Sequence, residues 1–251
     1  MTFATIKEVM ESGKTVVFGH RGAKAYAPMN TIPAFELAYE QGAVGIELDV
    51  HRSKDGHPVI VHNFTIDETT NGEGLITDKT LDELKALDAG SWFSDAFKGV
   101  QIPTLDEVFE SVGQKLLVNV EIKFEDRETD GVEQVVADCI RRHNMTERVI
   151  ISSFNPYTLQ RFHEIMPEVM TGFLYMANAA TESIMEGYPH DARHPYHEMI
   201  DKAYMTWAKE QNYYVNTWTV NDPIRAKELQ KLGVNVIVTD APDVILGAIS
   251  S

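Results

Sequence analysis

Short runs of Val, Ile and Leu recur along the chain, separated by longer amphipathic stretches. Residues 15–18, 44–50, 59–61, 115–123, 148–152, 170–174, 213–218 and 235–238 read as strands. Segments at 104–112, 130–143, 156–166, 196–211, 223–232 and 242–249 read as helices, as does the stretch with apolar Ile32, Phe35, Leu37 and Ala38 that ends near Gly42. A short helix over 6–12 leads to Gly13. Eight strands with helices mostly between them predict an α/β fold, a (β/α)8 TIM barrel. The 251 residues match the length of about 250 typical of such barrels, so one domain is expected over 1–251.

The alternation is broken after the second strand. No helix fits between 44–50 and 59–61, and a parallel crossover needs a dozen or more residues. The expectation is a local antiparallel pairing of the second and third strands around Asp55-Gly56, a tight-turn dipeptide. With a two-residue loop, Lys54 would face His57 and Asp49 would face His62. Residues 63–103 then form a small insertion after the third strand, rich in turn signals and with a capping-box pattern at Thr80 and Glu83. It is expected to cap the barrel mouth, with Trp92 or Phe93 as an apolar wall. Residues 177–195 read as a polar, irregular loop.

Polar residues interrupt the pattern where a barrel gathers its chemistry, at the C-terminal ends of the strands. His20-Arg21 ends the first strand and His62 the third. Glu47 and Asp49, two apart, share a strand face, as do Glu121 and Lys123. Trp218 follows Asn216, and Asp240 follows the last strand. Each has a bland reading. A strand-end histidine is more often structural, Glu-x-Asp is more often a solvated face, Glu121 with Lys123 can be a plain ion pair, and Trp218 can be core. Asp240 reads best as a cap of the last helix. His51 shares the face of Glu47 and Asp49, with a place at the rim as its bland reading. His143, His163, His190, His194 and His197 read as surface residues.

Their joint occurrence favours a site. Inward carboxylates are costly unless something positive pairs them. Glu47, Asp49 and Glu121 are hard oxygen ligands that suit a divalent cation, Mg2+ or Ca2+, and no Cys or His spacing suggests zinc. His20 and His62 can divide general acid and base work. Arg21 and Lys123 can hold an anion, and Trp218 is a candidate substrate platform. A metal, two histidines and two cations together suit cleavage of a phosphodiester.

Charge narrows the partners. With 38 acidic against 22 basic residues the net charge is −16, which disfavours nucleic acid and anionic bilayers. A small anionic substrate remains compatible if the site reverses the local field. No run of about 18 apolar residues occurs, so no membrane insertion is expected. The first residues lack a basic segment followed by an apolar one, and the single Cys139 excludes an internal disulfide. Both observations lead us to expect a cytoplasmic protein, with Cys139 as inert packing.

The motifs carry a family resemblance. Gly19-His20-Arg21-Gly22, Glu47-Leu48-Asp49-Val50, Lys54-Asp55-Gly56 and His62 resemble the glycerophosphodiester phosphodiesterase family. So do Thr69-Thr70-Asn71-Gly72, Leu87-Asp88-Ala89-Gly90-Ser91-Trp92-Phe93, Ile102-Pro103-Thr104-Leu105, Val120-Glu121-Ile122-Lys123 and Asn216-Thr217-Trp218-Thr219-Val220-Asn221. The resemblance implies a metal-dependent TIM barrel that hydrolyses glycerophosphodiesters to glycerol 3-phosphate and an alcohol. It implies His20 and His62 as the acid/base pair, Glu47, Asp49 and Glu121 as metal ligands, and Arg21 and Lys123 at the phosphate. Three positions depart from the family's usual pattern: Met29 stands where it has Glu, Asn63 where it has Asp, and Glu68 where it has Arg. Two rival readings stay open. One is a related lipid phosphodiesterase, of lysophospholipase D or phospholipase C type; the other is a non-catalytic barrel that binds phosphorylated ligands.

Overall fold

A computed structural model describes residues 3–176 and 187–250. Among these, nine strands form one sheet: β1 (Val16–His20), β2 (Gly45–Arg52), β3 (Pro58–Ile60), β4 (Leu117–Ile122), β5 (Val149–Ser153), β6 (Met170–Tyr175), β7 (Ala192–Pro195), β8 (Tyr214–Thr217) and β9 (Val236–Thr239). Eight of them run parallel and close on themselves, because β1 pairs with both β2 and β9. The α-helices that accompany them are α1 (Ile6–Glu11), α2 (Ile32–Glu40), α3 (Leu81–Lys85), α4 (Leu105–Val112), α5 (Val132–Arg142), α6 (Pro156–Ile165), α7 (Lys202–Glu210), α8 (Pro223–Leu232) and α9 (Pro242–Ile249). This is the (β/α)8 barrel that the hydrophobic pattern predicts.

The set of barrel strands differs from the expected one. β3 pairs only with β2, antiparallel, and lies outside the barrel. Its place is taken by β7, which pairs in parallel with β6 and β8. That strand reads Ala-Arg-His-Pro and falls inside the stretch expected to be loop. It hides from an apolar pattern because Arg193 lies over the rings of Tyr175, Trp207 and Tyr213, while His194 is buried among polar groups. Residues 177–186 of the expected loop lie outside the described residues. The helix expected over 196–211 begins instead as a 3-10 turn at His197–Met199; Asp201 then caps α7 by accepting from the Tyr204 N–H.

The hairpin register also shifts by one. His51 faces Val59 and Arg52 faces Pro58, so the loop is the three residues Lys54, Asp55 and Gly56. The Ser53 N–H donates to the His57 carbonyl, and Gly56 sits at a φ of 90°. A turn closed by a glycine in this conformation is the three-residue hairpin solution. Ser53 Oγ holds it by donating to Asp55 Oδ1 and accepting from the His57 N–H. Asp49 therefore faces Val61, whose N–H donates to its carbonyl, and His62 enters the site from beyond the paired residues.

Alternation along the strands splits the barrel wall. Ile46, Leu48, Val50, Val118 and Val120 pack outward against α2, α4 and α5. Inward-facing Val16, Phe18, Leu117, Ile150, Ala192 and Val236 close the N-terminal end. Further along the same faces come Glu47, Asp49, Asn119, Glu121, Ser152, His194 and Asn216, all buried. An apolar floor under a layer of buried polar side chains is what positions the site.

The 63–103 insertion has its own small core. Ile66, Ile76, Leu84, Ala89 and Ile102 pack on Val59 and Val61. The expected capping box opens α3, with the Glu83 N–H on Thr80 Oγ1 and the Thr80 N–H on Glu83 Oε2.

Gly172 on β6 makes room for the neighbouring strand. A Cβ there would lie 2.2 Å from His194 Nε2. Gly172→Ala should therefore overpack the interior and cost about 1–3 kcal/mol, read as a lower urea midpoint at unchanged slope. An unchanged midpoint would mean that His194 has room to move.

Candidate active site

The Gly19–Gly22 turn at the end of β1 sets the first part of the site. Arg21 adopts a φ of 53°, a strained conformation for a residue with a side chain and of the kind that clusters at functional sites. The turn aims the Arg21 N–H at Glu47 Oε2, 3.1 Å away, and brings its guanidinium Nε to 3.1 Å from Asp49 Oδ2. Guanidinium Nη1 approaches the Met29 sulfur at 3.3 Å. From β4, Lys123 Nζ reaches Asp49 Oδ1 at 3.0 Å and Glu121 Oε1 at 2.6 Å. Asn30 donates to Asp49 Oδ2 at 2.8 Å.

Glu47, Asp49 and Glu121 converge, with one oxygen from each within 4.8 Å of the others. When all three are ionised, as around a bound cation, Arg21 and Lys123 leave one negative charge without a partner. Burial and the neighbouring carboxylates push Glu47 well above the ordinary range. Burial likewise raises Glu121 to about 7, against the pull of Lys123. Asp49, although buried, is held below the ordinary range by Lys123 and Arg21. Partial burial by itself would lower the Lys123 pKa, but Asp49 and Glu121 raise it. Hard oxygens with an unmet negative charge fit a divalent cation, which would leave the centre positive and receptive to a phosphate.

The two histidines flank this centre with different partners. His20 Nδ1 lies 2.5 Å from Asp240 Oδ1, and its Nε2 lies 4.0 Å from Glu47 Oε2. Asp240 is itself held by Asn221 and Lys24. Burial lowers His20 to about 4, with Asp240 opposing the shift. His62 Nδ1 lies 2.6 Å from the amide oxygen of Asn63. Burial lowers His62 too, with Asp49 opposing.

Two chambers meet at the centre. The inner one, about 290 Å³, is lined by His20, Arg21, Glu47, His194, Asn216 and Trp218 among others. The outer one, about 530 Å³, is lined by Asn63, Phe64, Phe124, Glu125 and Ser153 among others. His62, Glu121, Lys123 and Phe154 line both. Every site residue expected from the sequence thus lies in or beside one cleft, Asp49 as the buried partner of Arg21 and Lys123. Trp218 is in the inner chamber, with its indole N–H on the His194 carbonyl and its ring edge-on to Phe154.

The expected apolar wall is different. Trp92 and Phe93 line neither chamber; they pack edge to face, and Phe93 packs in turn on Phe97. Phe64, Phe124 and Phe154 stand in their place. Asp240 partners His20 rather than merely capping a helix. His194, expected at the surface, is buried, lines the inner chamber and accepts from Asn216. His51, open between the strand face and the rim, is buried and lies 3.3 Å from the His62 carbonyl. The signal for His194 was its place two residues after Ala192, legible only once that strand is recognised.

Residues 20–244 match the model of the glycerophosphoryl diester phosphodiesterase family. The chain belongs to this family. It is 42% identical over 241 residues to a glycerophosphodiester phosphodiesterase of Caldanaerobacter subterraneus, covering 94% of this chain and 98% of that one. A glycerophosphodiester phosphodiesterase of Bacillus subtilis is 30% identical over 255 residues, 94% of this chain and 86% of that one. Among solved structures, an Oleispira antarctica phosphodiesterase in complex with the product sn-glycerol-3-phosphate superposes with a TM-score of 0.87 at 32% identity, covering 96% and 99% of the two chains. As a family member the chain is a phosphoric diester hydrolase. No helix among its described residues is long and apolar enough to cross a membrane.

Proposed function

We propose that the chain hydrolyses glycerophosphodiesters to glycerol 3-phosphate and an alcohol, using His20 and His62 as the acid/base pair. The observation that carries this is the pair of chambers that share His62, Glu121 and Lys123. A diester whose phosphate sits at that junction places glycerol in the inner chamber and the departing alcohol in the outer one. The relative that holds sn-glycerol-3-phosphate supports a pocket for that product in this fold.

Glu47, Asp49 and Glu121 would hold a divalent cation, Mg2+ or Ca2+. When bound, it supplies positive charge to the phosphate oxygens. Arg21 and Lys123 add their own charge at the same place and orient the phosphate. His20, backed by the Asp240 carboxylate, is suited to gain a proton, since the carboxylate stabilises the imidazolium that results. It takes the proton of the glycerol 2-hydroxyl as that oxygen attacks phosphorus, giving a cyclic phosphate that water then opens to glycerol 3-phosphate. His62 borders the outer chamber, on the side from which the alcohol departs, and is backed by a neutral amide. It protonates the departing alkoxide. Trp218 closes the glycerol side.

A second reading, hydrolysis of lysophospholipids by the same site, is favoured by Phe64, Phe154 and Met176, which are exposed around the mouth. One assay separates the two. Glycerophosphocholine, glycerophosphoethanolamine, glycerophosphoglycerol and lysophosphatidylcholine are incubated with the protein, and glycerol 3-phosphate and free alcohol are measured. Release of glycerol 3-phosphate with little turnover of the lysolipid is expected. Turnover of the lysolipid alone would establish the second reading, and no turnover at all would leave a binding barrel.

A further inference from the structure

Two of the three departures from the family pattern meet in space. Asn63 follows His62, and Glu68 lies five residues on, in the insertion. The Asn63 amide nitrogen donates to Glu68 Oε2, and its amide oxygen lies 2.6 Å from His62 Nδ1. The family's usual Asp and Arg at these positions could pair with the charges reversed. Here a carboxylate sits on the insertion and an amide beside the histidine.

We propose that Glu68 is a positioning residue, which acts through Asn63 to fix the proton on His62 Nδ1 and leave Nε2 facing the cleft. An amide can present either its oxygen or its nitrogen to a neighbour, and only a further partner decides which. An ionised carboxylate accepts and never donates. Glu68 therefore binds the NH2 end and turns the oxygen towards His62. An oxygen acceptor at Nδ1 requires a proton there. Nε2 is then the nitrogen that exchanges a proton with substrate. With Glu68 removed, the amide is free to turn its NH2 towards His62, where it opposes a proton on Nδ1. The imidazolium loses its acceptor, and less His62 stands ready as an acid. Glu68 lines neither chamber, so its effect on substrate is indirect. The insertion thus reaches the chemistry by a carboxylate two hydrogen bonds from the histidine ring.

The rate part of this inference rests on the proposed two-histidine reaction; the tautomer part does not. The experiment reads both, on wild type, Glu68→Ala, Glu68→Gln and the double exchange Asn63→Asp with Glu68→Arg. Imidazole nitrogen shifts of His62 should show a single Nδ1–H form in wild type and a mixture in Glu68→Ala. On glycerophosphocholine, kcat should fall about tenfold in Glu68→Ala with KM within about twofold, the scale of losing a group that orients a catalytic side chain. A nitrophenyl phosphodiester, whose leaving group needs little protonation, should be hydrolysed within about twofold of wild type. Glu68→Gln keeps an acceptor oxygen and should recover most of the loss. The double exchange should do the same, whereas Asn63→Asp alone sets two carboxylates against each other. Unchanged His62 shifts in Glu68→Ala would overturn the positioning role, as would an equal loss on both substrates, which marks a general structural effect. A wild type that hydrolyses no glycerophosphodiester would overturn the functional reading instead, and the shifts would still judge Glu68.

Discussion

Stripping divalent cations should lower turnover at least about 10³-fold, because the phosphate would then lose the cation's charge at a centre where Arg21 and Lys123 are already paired with carboxylates. Loss of a single preorganised group at such a site already costs about 10² to 10³. With cation removed, Arg21 and Lys123 stay committed to Asp49 and Glu121 and have little charge left for substrate. Adding back Mg2+ or Ca2+ should restore the rate, and the ion that does so at the lower concentration identifies the preferred one. Full activity in excess chelator would refute the metal reading.

The same carboxylates set a pH dependence for the metal-free protein. The Glu121 pKa is raised from 4.5 to about 7 by burial, and Glu47 is raised as well. A carboxyl whose folded value lies above its unfolded one favours the fold in its protonated form. That contribution is fully present below about 4.5 and is lost as the pH climbs through about 7. Ion binding relieves the repulsion but must first displace the protons. The rise in Tm on adding cation should therefore be larger at pH 8 than at pH 5, as scanning calorimetry would measure. Equal rises at both values would place the ion elsewhere.

The barrel was legible because its outward strand faces and its helices carry strong periodic patterns. Ile46, Leu48 and Val50 alternate with Glu47 and Asp49, and that contrast announces both a strand and a site. The strand Ala192–Pro195 was not legible, since its arginine packs on aromatic rings and its histidine on an asparagine, neither of which local hydropathy registers. The hairpin register turned on one residue. Asp55-Gly56 suggests a two-residue loop, whereas the Ser53 hydroxyl draws Asp55 and His57 into a three-residue one. Candidate ligands and histidines could be read from strand ends, because a barrel fixes where strand ends go. Their partners Asp240, Asn63 and Glu68 could not, because pairing through loops depends on distances that sequence spacing does not contain.

Replacing His20 or His62 by Ala should lower turnover of a natural glycerophosphodiester by about 10² to 10⁴ while leaving the fold intact. Both residues lie at the mouth, where barrels place chemistry, and neither belongs to the apolar clusters that build the core. Removing both should cost less than the product of the single losses, since they act on one reaction as a unit. The different partners of the two rings predict different responses to the leaving group. His62, at the outer chamber, gives its proton to the departing alkoxide. A nitrophenyl phosphodiester departs as a stable anion, so His62→Ala should recover much of its rate with that substrate. His20, on the glycerol side and backed by Asp240, removes a proton from the attacking oxygen whatever group departs. His20→Ala should stay slow with both substrates, and Asp240→Asn should weaken it in the same direction, because an amide cannot balance the imidazolium. The opposite pattern, with His20→Ala rescued and His62→Ala not, would exchange the two roles and leave the pair itself standing. Near-normal rates for both single variants on glycerophosphocholine would remove the histidines from the reaction and leave the charge at Glu47, Asp49 and Glu121 to account for it.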